Sequence, residues 1–402
     1  MKMRQVMAGV LTLALVTLSA CGANNSSSEP AAEEGGTGLT VLTTMFPEYD
    51  FAKKIAGDRA EVSLLIPPGA DAHSYEPSPG DMKAIQKADL LFYTNPVMNH
   101  WISELPDRLD TDKVQFVNVS QKVPKLAMPK EDILEALLAN SPLPQAIPVD
   151  DKTAADGEAE AAEHEHDEAD HDHDHHDAEE ATHDHDHEHD QAVGEEAHDH
   201  EGTEDSHDQE AGEEAGHHHH HENDPYDPHT WTGIRNDIII AETIRDAFIE
   251  KDPAGKDDYT KNCKTLTEEL QALDKEYTAL GEKADNRPLV VADEFPFLYL
   301  ANDYGFTFVP VLSSYGEHGE ASARRIAQIS DLMRDKGISV LYYTEQTTPK
   351  LARQLADDTG AEALMLHAGH TISEEDLKKG LSYTDILRQN LESLKKGLAV
   401  TD

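Results

Sequence analysis

Residues 253–283 read PAGKDDYTKNCKTLTEELQALDKEYTALGEK, and this stretch organises the whole chain. Tyr259, Cys263, Leu266, Leu270, Leu273, Tyr277 and Leu280 recur at alternating spacings of four and three. That pattern puts one continuous apolar stripe on a helix. At 1.5 Å per residue such a helix reaches roughly 45 Å, enough to lie across two small lobes. Cys263 falls on the stripe, so it reads as packed core rather than as a ligand or nucleophile.

Short apolar strands alternate with helical patterns on both sides of this helix. Before it, residues 39–44, 62–66, 89–94 and 114–119 read as strands, with helical patterns at 48–56 and 81–87. After it, residues 289–292, 306–311, 338–343 and 363–366 read as strands. Gly337 closes one of the helices between them; Pro349 opens another and Gly360 ends it. A last amphipathic helix spans 382–398, with Leu387, Leu391, Leu394 and Leu398 on one side. The expected fold class is α/β: two four-stranded, mostly parallel lobes joined by a long rigid helix, with a cleft between them.

The 402 residues carry 80 acids against 33 bases, a net charge of −47. No basic stripe exists, which argues against nucleic-acid binding. The acidity is concentrated. Residues 150–224 hold 31 Asp and Glu, with Lys152 as the sole base, and 18 of the 24 histidines. Such a segment has too little apolar surface to offset the entropy of ordering and is expected to be a disordered loop. Its His-Asp and His-Glu alternation, ending in His217, His218, His219, His220 and His221, predicts loose affinity for Zn²⁺, Ni²⁺ or Cu²⁺.

The N-terminus reads as an export signal over residues 1–20. Lys2 and Arg4 precede a short apolar run that ends in Leu18-Ser19-Ala20-Cys21. This resembles a bacterial lipobox, so Cys21 is the expected lipidation site, followed by a flexible tether over 21–38. The expected organisation continues with an N-terminal lobe over 39–149, the loop over 150–224, and the remainder of that lobe over 225–252. The inter-lobe helix occupies 253–284 and the C-terminal lobe 285–402.

Outside the acidic loop six histidines remain: His73, His100, His229, His318, His367 and His370. Open α/β folds bind ligands beyond the carboxyl ends of their strands. His73 lies in the loop after strand 62–66, Glu294 two residues beyond strand 289–292, and His367 immediately after strand 363–366. His229 sits in the turn Asp227-Pro228-His229-Thr230-Trp231 before a helix. Imidazoles with one carboxylate suit a borderline-soft divalent cation in tetrahedral geometry. The candidate metal ligands are therefore His73, His229, Glu294 and His367, with His370 as a supporting or alternative ligand. A lone loop histidine is ordinarily a surface residue, and His318 is read that way; His100, before Trp101 at a helix start, reads as structural or exposed. Zinc-protease, nucleophile-elbow and Walker A motifs are absent, so no catalytic residue is assigned and an enzyme is not expected.

Four segments carry a resemblance: TTMFPEYDFAKKIAGD (43–58), LIPPGADAHSYEPSP (65–79), DPHTW (227–231) and FLYLANDYG (297–305). They resemble the metal-binding solute-binding proteins of ABC transporters, over nearly all of the chain beyond the acidic tract. The resemblance implies two lobes on a rigid helix, a metal buried between them, and His73 and His229 as the first two ligands. Zinc members of that family usually place His where this chain has Glu294 and an acid where it has His367; manganese members match at Glu294 but use Asp at the fourth position. A long His- and acid-rich loop is typical of the zinc branch, and a three-histidine site agrees, since manganese prefers more oxygen ligands.

The resemblance therefore implies a lipid-anchored, monomeric, extracytoplasmic subunit that captures Zn²⁺ and hands it to a membrane permease driven by a separate ATPase. Zinc and protons compete for imidazole nitrogens, so affinity is expected to fall below about pH 6. The alternatives are an importer subunit for manganese, iron or nickel, and an extracellular zinc buffer or adhesin without transport.

Overall fold

A computed structural model describes residues 38–105, 113–150, 152–154, 225–284, 287–292, 295–312, 322–346 and 349–400. The expected signal, Cys21, the tether up to Thr37, His217 to His221, Glu294 and His318 lie outside the described residues.

The first lobe runs β1 (Leu39–Thr43), α1 (Phe46–Ala56), β2 (Ala60–Leu64), α2 (Pro79–Ile85), β3 (Leu90–Tyr93) and β4 (Gln115–Asn118). It continues through β5 (Lys125–Ala127), α3 (Ile133–Leu138) and β6 (Ile147–Val149) to α4 (Ile234–Lys251). The long helix α5 spans Lys256–Lys283. The second lobe follows as β7 (Pro288–Val291), α6 (Leu298–Tyr304), β8 (Thr307–Pro310), α7 (Ala323–Lys336) and β9 (Val340–Tyr343). It closes with α8 (Lys350–Thr359), β10 (Glu362–Met365), α9 (Glu374–Lys379) and α10 (Tyr383–Gly397).

Each lobe is a four-stranded, wholly parallel sheet, ordered β2-β1-β3-β4 in the first and β10-β9-β7-β8 in the second. Counted from its own first strand, the second sheet repeats the order of the first. Both sheets therefore reverse winding beside their first strand, and the crevice for a ligand opens there, past the strand ends. The inner strands β3, β7 and β9 are short apolar runs because helices cover both faces of a parallel sheet; all four residues of β7 are buried.

The seven stripe residues of α5 are all buried, none more than 3% exposed. They pack in one continuous core with Val41, Phe46 and Phe92 of the first lobe and Leu289, Phe308 and Tyr342 of the second. A helix whose apolar stripe is shared by both lobes resists hinge motion, since bending would expose it to water. Cys263 lies inside this core with burial pushing its thiol pKa up, as expected of an inert residue. Gly360 ends α8 in the left-handed region at φ 73°.

One element was not anticipated. Helix α3 belongs to the first half of the chain but packs on the second lobe. Leu134 is buried against Val309, Ile329 and Leu332. Asp132 caps α3 by accepting from the Leu134 N–H at 2.7 Å. Its other oxygen meets the Arg325 guanidinium at 2.6 Å. Arg325 also donates to the carbonyls of Pro310 and Val311, at 2.8 Å each. Residues 125–149 thus form a second bridge between the lobes. Their strands β5 and β6 pair antiparallel and close the strap on itself. Among the described residues, no helix is long and apolar enough to cross a membrane.

Candidate metal centre

Three loops meet between the lobes. The first follows β2 and carries His73. The second precedes α4 and carries His229, and the third follows β10 and carries His367 and His370. One ligand atom from each of His73, His229 and His370 falls within 4.8 Å of the others. Nε2 of His229 lies 3.4 Å from Nε2 of His73. The ring centres of His73 and His370 are 5.2 Å apart, and those of His229 and His370 are 4.9 Å apart. Among the described residues no other group of three or more His, Cys, Asp or Glu side chains converges in this way.

Each imidazole is held for a reason. His229 is buried in the Asp227-Pro228-His229 turn. Asp227 accepts from its backbone N–H at 2.9 Å and contacts its Nδ1 at 2.9 Å. With Nδ1–H donated to that carboxylate, the lone pair of Nε2 faces the other histidines. The turn is locked from both lobes. Asn95, just past β3, donates to the Pro228 carbonyl at 2.9 Å, and Tyr299 of α6 donates to the Asp227 carbonyl at 2.8 Å. His73 is half-buried, and Asp71 accepts from its backbone N–H at 3.0 Å.

The third loop reads Leu366-His367-Ala368-Gly369-His370-Thr371. It brings His370, not His367, into the cluster. Asn390 of α10 grips His367 through its backbone, accepting from its N–H at 2.8 Å and donating to its carbonyl at 2.8 Å. The His367 ring then folds back over its own loop. Its Nδ1 accepts from the Gly369 N–H at 3.0 Å and lies 3.4 Å from Oε2 of Glu345. Gly369 adopts φ +86°, a backbone L-residues rarely take, and so reverses the chain. The reversal delivers His370, 3% exposed, to the cleft. Neither ring nitrogen of His370 has a hydrogen-bond partner among the described residues. A buried imidazole left in that state is costly unless a ligand completes it, and this is the condition a divalent cation would relieve.

Behind the loop sits Glu345, two residues past β9. Its carboxylate accepts from the N–H groups of Ala368 at 2.7 Å and His370 at 2.9 Å, and lies 3.6 Å from Nδ1 of His370. Burial pushes the Glu345 carboxyl up. The neighbouring imidazoles and the Ala368 N–H outweigh that and hold it down at about 2.

Hydrogen bonds already tie the three loops together. Trp231 Nε1 donates to the Ala368 carbonyl at 2.8 Å, and the Gly69 N–H donates to Oγ1 of Thr371 at 2.7 Å. The Trp231 ring also lies against those of His229 and His370, at 5.4 and 5.1 Å. The remaining described histidine, His100, pairs at 3.2 Å with Glu76.

The model of a zinc-uptake complex component A, periplasmic, matches residues 41–397. The chain belongs to this zinc-uptake component A family. The family supplies transport components rather than enzymes, which agrees with the absence of catalytic motifs. Relatives include the high-affinity zinc uptake system protein ZnuA of Bacillus subtilis, 28% identical over 391 residues and 97% of each chain. The zinc-binding lipoprotein AdcA of Streptococcus pneumoniae is 30% identical over 89% of this chain, which spans 55% of that longer protein. Among solved structures, the metal-dependent lipoprotein YcdH of B. subtilis superposes with a TM-score of 0.60 at 26% identity, over 90% of this chain and 100% of that one. The Zn(II)-bound ZnuA-like domain of S. pneumoniae AdcA superposes with a TM-score of 0.58 at 25% identity, over 90% and 99%. The two-lobed α/β architecture is that of the zinc-uptake component A family.

In the sequence alone His370 stands behind His367, as a supporting or alternative ligand. The signal available was the spacing His-Ala-Gly-His, in which a glycine permits the reversal that puts the second histidine inward.

Proposed function

We propose that this chain is the extracytoplasmic solute-binding subunit of a zinc importer. Zn²⁺ is bound between the lobes by His73, His229 and His370, with Glu294 as the carboxylate that completes a tetrahedral set. The convergence of three imidazoles from three separated loops on one point carries this reading. The donor set favours zinc over manganese, because imidazole nitrogens suit zinc and manganese favours oxygen. Family membership and the zinc-binding names of the relatives support the same cargo.

The cation enters a site whose loops are already hydrogen-bonded to one another, so little ordering remains to be done on binding. Each nitrogen must be unprotonated to bind, so loading releases protons from any imidazolium. The acidic, His-rich tract concentrates zinc near the protein, and Cys21 anchors the protein to the membrane. The loaded lobes then dock on a permease served by a separate ATPase. The core shared along α5 limits hinge motion, so release proceeds through loop shifts at the cleft.

The test is a zinc titration of the full chain and of a variant lacking residues 155–224. Tight binding at one site per chain should survive removal of the loop. It should vanish in the His73→Ala, His229→Ala double variant. A tight site that disappears with the loop and persists in the double variant would overturn the cleft assignment.

A further inference from the structure

We propose that Glu345 is the positioning residue of the cleft, orienting the third imidazole without touching the cation; this rests on the zinc reading above. Its carboxylate accepts two hydrogen bonds from the loop, from the backbone N–H groups of Ala368 at 2.7 Å and His370 at 2.9 Å, and it faces Nδ1 of His370 at 3.6 Å. Its side chain is 7% exposed, so the two hydrogen bonds are made away from water, where they are strong. With Nδ1 facing Glu345, His370 has Nε2 left as its ligand atom. Glu345 does not belong to the group whose donor atoms converge, so its role is exerted through His370.

The arrangement matches the other side of the cleft. There Asp227 holds both the backbone N–H and Nδ1 of His229. Here Glu345 holds the backbone N–H of His370 and faces its Nδ1. Two of the three imidazoles are therefore each backed by a buried carboxylate from a different lobe. Such a partner fixes the ring tautomer and raises the basicity of the distal nitrogen. Asn390 provides the contrast within the same loop. It holds the His367 backbone at both ends and acts on no ring, so it is a purely structural clamp.

The experiment compares Glu345→Gln, Glu345→Asp, Asn390→Ser and His370→Ala in the full chain. Zinc is titrated against a competing chelator and followed by the fluorescence of Trp231, whose ring lies against two of the imidazoles. A Trp101→Phe background leaves it the sole tryptophan. Removing such a partner is expected to weaken zinc binding about 10–100-fold, so E345Q should fall in that range and E345D should lose less. N390S should lower the melting temperature of the zinc-free protein at least as much as E345Q while changing affinity by no more than about threefold. Equal affinity losses in E345Q and N390S at equal loss of stability would reduce Glu345 to a loop brace and overturn the proposal. So would an E345Q affinity within threefold of the parent. If E345Q fails to fold, E345D against N390S is read in the same way. Parent-like affinity in H370A would instead sink the zinc-cleft reading itself, whereas loss in H370A with retention in E345Q sinks only the positioning role.

Discussion

Nε2 of His73 and Nε2 of His229 stand 3.4 Å apart although 156 positions separate them in the chain. Their approach is imposed by the loops that carry them, and a cation accepting both lone pairs would turn it into binding energy.

Asp227 is the lever on His229. Asp227→Asn keeps an oxygen for the His229 N–H but removes the charge behind Nδ1. Zinc affinity of the cleft should fall about 10–100-fold, with secondary structure unchanged. Calorimetry on the variant lacking residues 155–224 checks this, and parent-like affinity would remove Asp227 from the mechanism.

Gly369 decides which histidine of the third loop faces the cleft. A Cβ at this position would sit 2.7 Å from Cε2 of Tyr383, on a backbone with φ +86°. Gly369→Ala should cost about 1–3 kcal/mol of stability and weaken zinc binding, since His370 is the next residue. Denaturant unfolding and zinc titration measure the two losses. A stable variant with full affinity would show that the turn is not what presents His370.

Glu48 makes a prediction about pH. It is buried in the first lobe, accepting from the Met45 N–H at 2.8 Å and from the hydroxyls of Thr44 and Thr94. Burial dominates over these bonds and raises its pKa from 4.5 to about 7. The folded protein therefore holds a proton that the unfolded chain releases. The stability this confers is complete below pH 4.5 and is lost as pH rises through 7, a change of about 3 kcal/mol. Glu48→Gln cannot lose that proton. Relative to the parent it should gain roughly 3 kcal/mol between pH 4.5 and 8, measured by urea unfolding in the presence of a chelator. A constant difference across that range would mean that Glu48 is ionised in the fold.

The strap through α3 predicts a cost that chain order alone would not assign. Leu134→Ala removes a side chain buried in the core of the opposite lobe and should destabilise by about 2–4 kcal/mol. A change under 0.5 kcal/mol would mean that the strap is loosely attached.

Periodicity made the architecture legible. The alternating four-and-three spacing from Tyr259 to Leu280 marks a buried stripe directly, because apolar residues on one helical face have nowhere else to go. The strands 39–44 and 289–292 were legible as short apolar runs, since a parallel sheet buries both faces. Helix α3 was missed because six residues reading Ile-Leu-Glu-Ala-Leu-Leu look the same whichever lobe they pack against. Its partner Arg325 lies 193 positions from Asp132, beyond the reach of any local pattern.

The residues themselves determined that this is a two-lobed α/β chain on a long helix, with candidate metal-ligating histidines beyond its strand ends and a family resemblance in the loops holding His73 and His229. Only the tertiary structure decided between His367 and His370. Both follow β10, both are histidine, and three positions separate them. The choice depends on a glycine turn packed against Tyr383 that swings His370 inward while the His367 ring folds back over its own loop. Those contacts exist only once the chain has folded; the His-Ala-Gly-His spacing permits the reversal but does not by itself say that it occurs.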